Sequence, residues 1–358
     1  MSARRLGYRP ALDGIRALAI VGVVLVHALE WPTGGALGVD LFFVLSGFLI
    51  TTLLLEEYAE HGTVSLRAFY RRRAYRLFPA LFLMLGVYLA VAAGVALARG
   101  ESLWNPLFGV LAGLGYFTNL AQMADPASMP RSLTHLWSLA EEEQFYLVWP
   151  LVLFVVFRAR IRLAIVFTVV GIALSTLRAI QLNLDGASNY RMGIGIDTAA
   201  VPILVGCLLA LLLMTGARAP LQRAGHVLGP IALLGVLFFF FGTGGDVYGG
   251  FRWVFSLCAA LLILAVLDAR SLVTRPLSTR PMVYLGKISY SLYIWHAPLL
   301  ILFAIRDTAL EWQAIPVIAL SLAVAVASYH LVELPFLRRK NRRARPRVVV
   351  PKPVPVTA

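Results

Sequence analysis

Apolar runs of about 20 residues recur along this chain from residue 11 to residue 333. That is the length at which a helix crosses a hydrocarbon core about 30 Å thick. The runs fall near 11–30, 37–57, 77–98, 136–157, 163–181, 197–215, 226–243, 250–268, 284–304 and 313–333. Short polar segments, many of them basic, separate them. The alternation predicts an all-α fold, a polytopic transmembrane helical bundle of about ten spans. One segment, NPLFGVLAGLGYFTN (105–119), is apolar but short and rich in glycine. If it crossed the membrane, every later loop would change sides and RARIR would leave the other basic loops. It is expected to be re-entrant or interfacial, where irregular backbone needs protein or water around it.

Composition agrees with a membrane protein. Mean hydropathy is +0.79 and 14% of residues are charged, against roughly 25% in ordinary soluble domains. The net charge of +14 suggests nucleic acid at first. Its location argues otherwise. Counted from an inside N-terminus, the N-terminal segment, the Arg71–Arg76 loop, Arg158–Arg162, Arg218–Arg223, Arg270–Lys287 and the run RRKNRRARPR share one side, and all are basic. The opposite loops, such as GTGGDVYGG and RDTALEW, are poor in Lys and Arg. Under the positive-inside rule both termini are cytoplasmic. The basic runs are not interleaved with aromatics, so the expected partner is anionic lipid and not nucleic acid. Residues 1–340 read as one integral membrane domain and 341–358 as a basic, disordered tail. Cys207 and Cys258 fall within spans, as small buried hydrophobes, so neither a disulfide framework nor a metal site is expected. MSARRLGYRP is basic enough for a signal n-region, but the helix after it carries Arg16 and His27 and has no clear cleavage site. It reads as a signal anchor.

Ionisable groups inside spans are costly and mark candidate chemistry. Arg16 and His27 are eleven residues apart in ALDGIRALAIVGVVLVHALEW. At helical geometry that returns to within roughly 20° of the same face, displaced about 16 Å along the axis. One stripe thus carries a cation near one membrane face and an imidazole deep in the bilayer, although an intramembrane His can also serve only to bond a neighbouring helix. In GVDLFFVLSGFLI, Asp40 lies about one turn into the second span, at a depth where it could orient His27; it could equally be an N-terminal helix carboxylate facing interfacial water. Ser46 and Gly47 read as packing positions. In FYRRRAYRLFP, Arg73 and Arg76 share a helical face and offer forked donors suited to phosphate, or act as a positive-inside anchor. In HLWSLAEEEQFYLVWP, Glu141 and Glu143 read as a solvated helix start, whereas Glu142 reaches the level assigned to His27, where a carboxylate must be paired or protonated. YLGKISYSLYIWHAPLL places Ser289, Tyr290, Tyr293 and His296 on one span, a polar density that lines a cavity or joins helices.

Taken together, LDGIRALAIVGVVLVH, GVDLFFVLSGFLI, RRAYRLFP, HLWSLAEEEQFY, LGKISYSLYIWHAP and YHLVELPF resemble, in order, the signature blocks of the acyltransferase-3 family. These are membrane-bound O-acyltransferases of bacterial polysaccharides and lipopolysaccharide O-antigen. The chain is similar to a stand-alone member, with no SGNH-type esterase domain after the last span. The resemblance implies a multi-pass protein of the bacterial plasma membrane. It implies an acyl-CoA donor, commonly acetyl-CoA, that enters from the cytoplasm as co-substrate, with no bound cofactor. The acceptor implied is a hydroxyl of a carbohydrate or lipid-linked glycan. The family's Arg–x10–His pattern falls on Arg16 and His27, its Arg-x-x-Arg on Arg73 and Arg76, and its Trp-Ser-Leu block with a following glutamate on Trp137, Ser138 and Glu142. Two positions depart from it: Ala199 and Leu334 stand where similar proteins often carry arginine.

The resulting expectation assigns Arg16, Arg73 and Arg76 to the CoA phosphates. His27 is a general base or a nucleophile, with Glu142 and Asp40 beside it. Ser138, Ser289, Tyr293 and His296 line the path. Two other readings stay open. Buried ionisable groups also suit a proton-coupled transporter or exporter, although no paired repeat is visible, and the acceptor could be a macrolide-type secondary metabolite.

Overall fold

The computed structural model describes residues 6–157, 161–215, 217–242, 246–303 and 313–344. Their helices are α1 (Pro10–Leu29), α2 (Gly38–His61), α3 (Leu66–Arg99), α4 (Trp104–Leu114), α5 (Thr118–Ala124), α6 (Trp137–Phe157), α7 (Ile161–Leu184), α8 (Asn189–Ile194), α9 (Ile196–Leu213), α10 (Arg218–Gly242), α11 (Arg252–Val266), α12 (Thr274–Leu277), α13 (Arg280–Leu302), α14 (Ala314–Ser328) and α15 (Leu334–Ala344). Among the described residues there is no strand. Residues 158–160, 243–245, 304–312 and those beyond 344 lie outside them; of the expected disordered tail, residues 341–344 continue the helix α15 instead.

Among the described residues, seven helical segments are long and apolar enough to cross a membrane: α1, α2 with the turn before it, α3, α7, α9, α10, and α14 with the residues after it. The other three expected spans are helices of a different character. α6 and α13 have 21 and 23 residues but carry acidic, basic and hydroxyl side chains. α11 has only 15 residues, about 22 Å at helical rise. α4, in the segment expected not to span, has 11 residues, about 16 Å or half a hydrocarbon core. The chain breaks after it at Tyr116, whose φ is 53°, before α5 begins.

α3 corrects one expectation. The Arg71–Arg76 stretch is not a loop before a span. Residues 66–99 form one helix of 34 residues, started by Ser65, whose hydroxyl accepts from the Ala68 N–H at 3.3 Å. At about 50 Å it exceeds a hydrocarbon core, so the arginines ride on its end.

α1, α2 and α9 form the interior. The apolar stretch of α2 is 72% buried, against 22% for α7 and α14, which face outward. Lipid is as apolar as leucine, so close helix contact comes from shape and not from hydrophobicity. Gly47 and Gly206 supply it between α2 and α9: a Cβ on Gly47 would strike the Ile203 carbonyl, and one on Gly206 the Val44 carbonyl. Gly286 does the same for α13, which lies with its backbone on the Asp13 carbonyl of α1. That contact sets the faces of α1 and α13 against each other along their length.

Candidate active site

Polar side chains in this interior form three groups. The first lies at the start of α1. Arg16 pairs with Asp13 three residues earlier, and Asp13 accepts from the Tyr8 hydroxyl at 2.9 Å. Burial and that bond push the Tyr8 hydroxyl up to about 12. Arg76 lies within electrostatic reach of Arg16 and of buried Glu333. Glu333 sits at the end of a π-helical turn, Tyr329–Glu333, and accepts from the Ser291 hydroxyl at 3.1 Å. Arg73 stacks on the Tyr146 ring at 3.4 Å and holds Glu143 at 2.5 Å. A cavity of about 310 Å³ opens beside it, lined by Tyr70, Arg71, Arg73, Ala74, Leu77, Phe78 and Glu143. The structure therefore brings Arg16, Arg73 and Arg76 to one end. Each has a carboxylate near it, which a single-sign anchor would not have. Glu143 is not part of a solvated helix start, because α6 enters beside α3 and gives that carboxylate to Arg73.

The second group sits between the ends. Glu142 accepts from Tyr146 at 2.5 Å and from the Ser46 hydroxyl. Tyr146 is also the ring under Arg73. Glu142 is thus tied to the arginine end, and it also lies within electrostatic reach of Tyr293, which packs on His296. Successive residues of α6 point about 100° apart, so Glu141, Glu142 and Glu143 face different neighbours. Ser46 does more than allow packing.

The third group surrounds His27. Its Nδ1 lies 2.8 Å from the Val23 carbonyl and 3.3 Å from Nε2 of His296. The two rings are 5.2 Å apart. A carbonyl only accepts, so Nδ1 of His27 carries the proton, and the neutral ring has its lone pair on Nε2. The same logic applies to His296, whose Nδ1 lies 2.5 Å from the Tyr293 carbonyl; its Nε2 then accepts from His27. His135 packs on both Tyr293 and His296, with ring centroids at 5.5 and 5.4 Å. Tyr293 donates its hydroxyl proton to the His135 carbonyl at 2.7 Å, so Ser138 donates to the Tyr293 oxygen at 2.5 Å. Ser289 is buried one turn further along the same face of α13 and joins none of these bonds. Among the described residues, no group of three His, Cys, Asp or Glu side chains could hold a metal ion.

Asp40 requires a correction. It is buried, but its partner is Arg252, at 2.5 Å from Nη2 and 3.0–3.1 Å from Nε. The same guanidinium donates to the carbonyls of Met192 and Gly193 at 3.4 and 3.3 Å. Asp40 therefore ties α2 to α11 and α8, and does not orient His27. Glu141, expected in solvent, is 3% exposed and neither of its oxygens has a hydrogen-bond partner. The two departures from the family pattern are dissimilar: Ala199 is buried in α9, and Leu334 opens α15.

Sequence reasoning did not single out His135, Tyr146, Arg252 or Glu333. His135 had a signal, its place at the head of HLWSLAEEE. Arg252 had none locally, because a lone arginine at the edge of a span reads as an ordinary loop residue.

Side chains of this kind, held between helices of a membrane bundle, define an integral membrane protein with a buried ionisable site. The acyltransferase domain family matches residues 9–330, and the chain belongs to it. Among curated relatives, the O-acetyltransferase OatA of Staphylococcus aureus (strain NCTC 8325 / PS 47) is 32% identical over 94% of this chain and 58% of that protein. YrhL of Bacillus subtilis (strain 168), whose name provisionally makes it a peptidoglycan O-acetyltransferase, is 32% identical over 96% of this chain and 57% of its own length. The chain thus spans under three fifths of the length of these relatives. No solved structure matches it.

Proposed function

We propose that this protein is a plasma-membrane O-acyltransferase that moves an acyl group, acetyl in the first instance, from acyl-CoA to a hydroxyl of a cell-wall or other surface carbohydrate. One observation carries the reading: Arg73 stacks on Tyr146, which donates to Glu142 beside Ser46. Glu142 lies within electrostatic reach of Tyr293, and Tyr293 packs on His296, which meets His27, while Arg16 and Arg76 join the first end. The arginine end is the cytoplasmic one, where CoA is available, and its guanidinium groups receive the CoA phosphates. The pantetheine arm follows the line inward. The reach from Arg16 to His27, about 16 Å, is of the order such an arm spans. Arg338 and Arg339 of α15 suit anionic headgroups on that side.

At the far end, Nε2 of His27 takes the proton of the acceptor hydroxyl. The hydroxyl oxygen attacks the thioester carbonyl, a C–O bond forms, and the C–S bond breaks. The CoA thiolate leaves and recovers a proton from the imidazolium, whose Nδ1–H is meanwhile stabilised by His296. A variant in which Nε2 itself carries the acyl group balances equally well. The carbohydrate acceptor is supported by the relatives, one of them named for peptidoglycan O-acetylation.

The test uses the purified protein in lipid nanodiscs, acetyl-labelled acetyl-CoA and peptidoglycan glycan strands. Label is expected on glycan with the wild type and is lost with His27→Ala, which still inserts and folds. Label transfer by His27→Ala at the wild-type rate would refute the assignment. In sealed proteoliposomes of the same protein, accumulation of an unmodified substrate, with no labelled product, would favour a transporter.

A further inference from the structure

The transfer reaction leaves Arg71 unused, although it lines the cavity beside Arg73. That cavity lies between α3 and α6 and holds about 310 Å³, roughly ten times the volume of a water molecule. Three charged side chains line it. Arg73 holds Glu143 at 2.5 Å, so those two charges answer one another. Arg71 is left over. It is exposed, and among the described residues it makes no ion pair and no side-chain hydrogen bond, whereas Arg72 next to it holds Glu57 at 3.0 Å.

The surface around the cavity is apolar. Phe78, in its wall, is 37% exposed; Phe82, one turn further along α3, packs on it with ring centroids 5.4 Å apart and is 55% exposed. On the other side the Tyr70 hydroxyl donates to the Leu147 carbonyl of α6 at 3.0 Å, and Leu147 and Val148 are 60% and 57% exposed. On the outside of a membrane bundle such side chains meet acyl chains. A cation bordered by acyl chains is costly unless an anion answers it, and at the edge of a bilayer the anion at hand is lipid phosphate.

We propose that this cavity seats the headgroup of an anionic glycerophospholipid, with the Arg71 guanidinium donating to its phosphodiester and its acyl chains lying over Phe78, Phe82, Leu147 and Val148. The forked donors of arginine suit phosphate oxygens. The charge of the lining selects the class. Two guanidiniums and one carboxylate leave a single net positive charge, which one phosphodiester neutralises. A zwitterionic headgroup would bring an ammonium to the same guanidiniums, and a soluble phosphate gains nothing from the exposed apolar side chains. The site does not depend on the acyl-transfer reading.

Native mass spectrometry of the full chain in detergent, titrated with phosphatidylglycerol or phosphatidylethanolamine, reads lipid binding without any activity. The wild type is expected to hold one phosphatidylglycerol about tenfold more tightly than phosphatidylethanolamine, the order of one charge-assisted hydrogen bond. Arg71→Ala is expected to lose that preference. Ala74→Leu, which fills the cavity and keeps Arg71, is expected to weaken phosphatidylglycerol by a similar factor. Arg275→Ala, at an exposed arginine of α12 outside the lining, leaves lipid binding within about twofold, and Arg71→Ala leaves the dissociation constant for CoA within about twofold. Equal retention of the two lipids by the wild type overturns the site, as does unchanged lipid binding in folded Arg71→Ala. An equal loss in Arg275→Ala marks diffuse attraction to a basic surface and overturns it too. CoA binding weakened by a similar factor in Arg71→Ala gives the cavity to a soluble phosphate and not to a lipid.

Discussion

Arg252 and Asp40 are 212 residues apart in the chain, yet they form a buried ion pair in which Nε and Nη2 of the guanidinium both engage the carboxylate. Only 4% of the arginine side chain and 1% of the aspartate are exposed. The pair fastens the N-terminal turns of α2 and α11 to one another, and the remaining guanidinium nitrogen holds the backbone of α8. It is a joint between α2, α8 and α11.

This joint has a measurable energetic signature. Removing one member strands a buried charge, which costs about 3–5 kcal/mol, whereas replacing both by apolar side chains of similar size is often close to neutral. Arg252→Ala is therefore expected to lower the thermal unfolding midpoint in detergent far more than the double replacement Asp40→Leu/Arg252→Met. A double variant as unstable as the single one would show that the carbonyl contacts, not the ion pair, carry the stability.

The donor end makes a different prediction, in kinetics. Arg73→Ala and Arg76→Ala should each raise KM for acyl-CoA by about tenfold, the order of one charge-assisted hydrogen bond, with the acceptor KM unmoved. Arg73→Lys should not restore the donor KM, because an ammonium cannot both stack on Tyr146 and fork toward Glu143. Steady-state rates against each substrate, with expression and monodispersity matched, check this. Unchanged donor KM in both alanine variants would remove the arginines from phosphate binding.

How much of this was legible in the sequence depends on the range of each contact. The Arg16–His27 stripe is a property of one helix, so its spacing alone placed both residues on one face. The clustering of Arg73 and Arg76 is local too, but hydropathy drops wherever charge accumulates, so a helix emerging from the bilayer read as a loop. The three glutamates show the limit most clearly. Their depth follows from counting residues, yet depth says nothing about direction: Glu142 bonds Ser46 of α2, Glu143 holds Arg73 of α3, and Glu141 is buried with neither oxygen bonded. A hairpin of the first two spans brings Asp40 and His27 level, which points to a contact between them. The true partner of Asp40 comes from a helix that starts more than two hundred residues later, a choice made by tertiary packing alone. The polar faces of α6 and α13 were legible as lining a cavity or joining helices, because their hydroxyl and ionisable residues recur on one span.

The last prediction concerns how His27 is held. Its Nδ1 proton is shared between the Val23 carbonyl and Nε2 of His296, so two acceptors point the ring and hold its tautomer. When Nε2 of His27 takes up a proton, the carbonyl and His296 both stabilise the resulting cation, as a carboxylate does in a Ser–His–Asp triad. His296 is then a positioning residue rather than a base. His296→Ala is expected to lower kcat by about 100-fold, the lower range for a misdirected general base, while KM for both substrates stays within a few-fold. His296→Gln, whose side-chain carbonyl can still accept from Nδ1, should recover a substantial part of that loss. His27→Gln should recover none, because the group that exchanges the proton is gone. If alanine and glutamine at 296 are equally impaired, the contact serves packing between α1 and α13. If His296→Ala instead raises the acceptor KM and spares kcat, His296 contacts the acceptor directly.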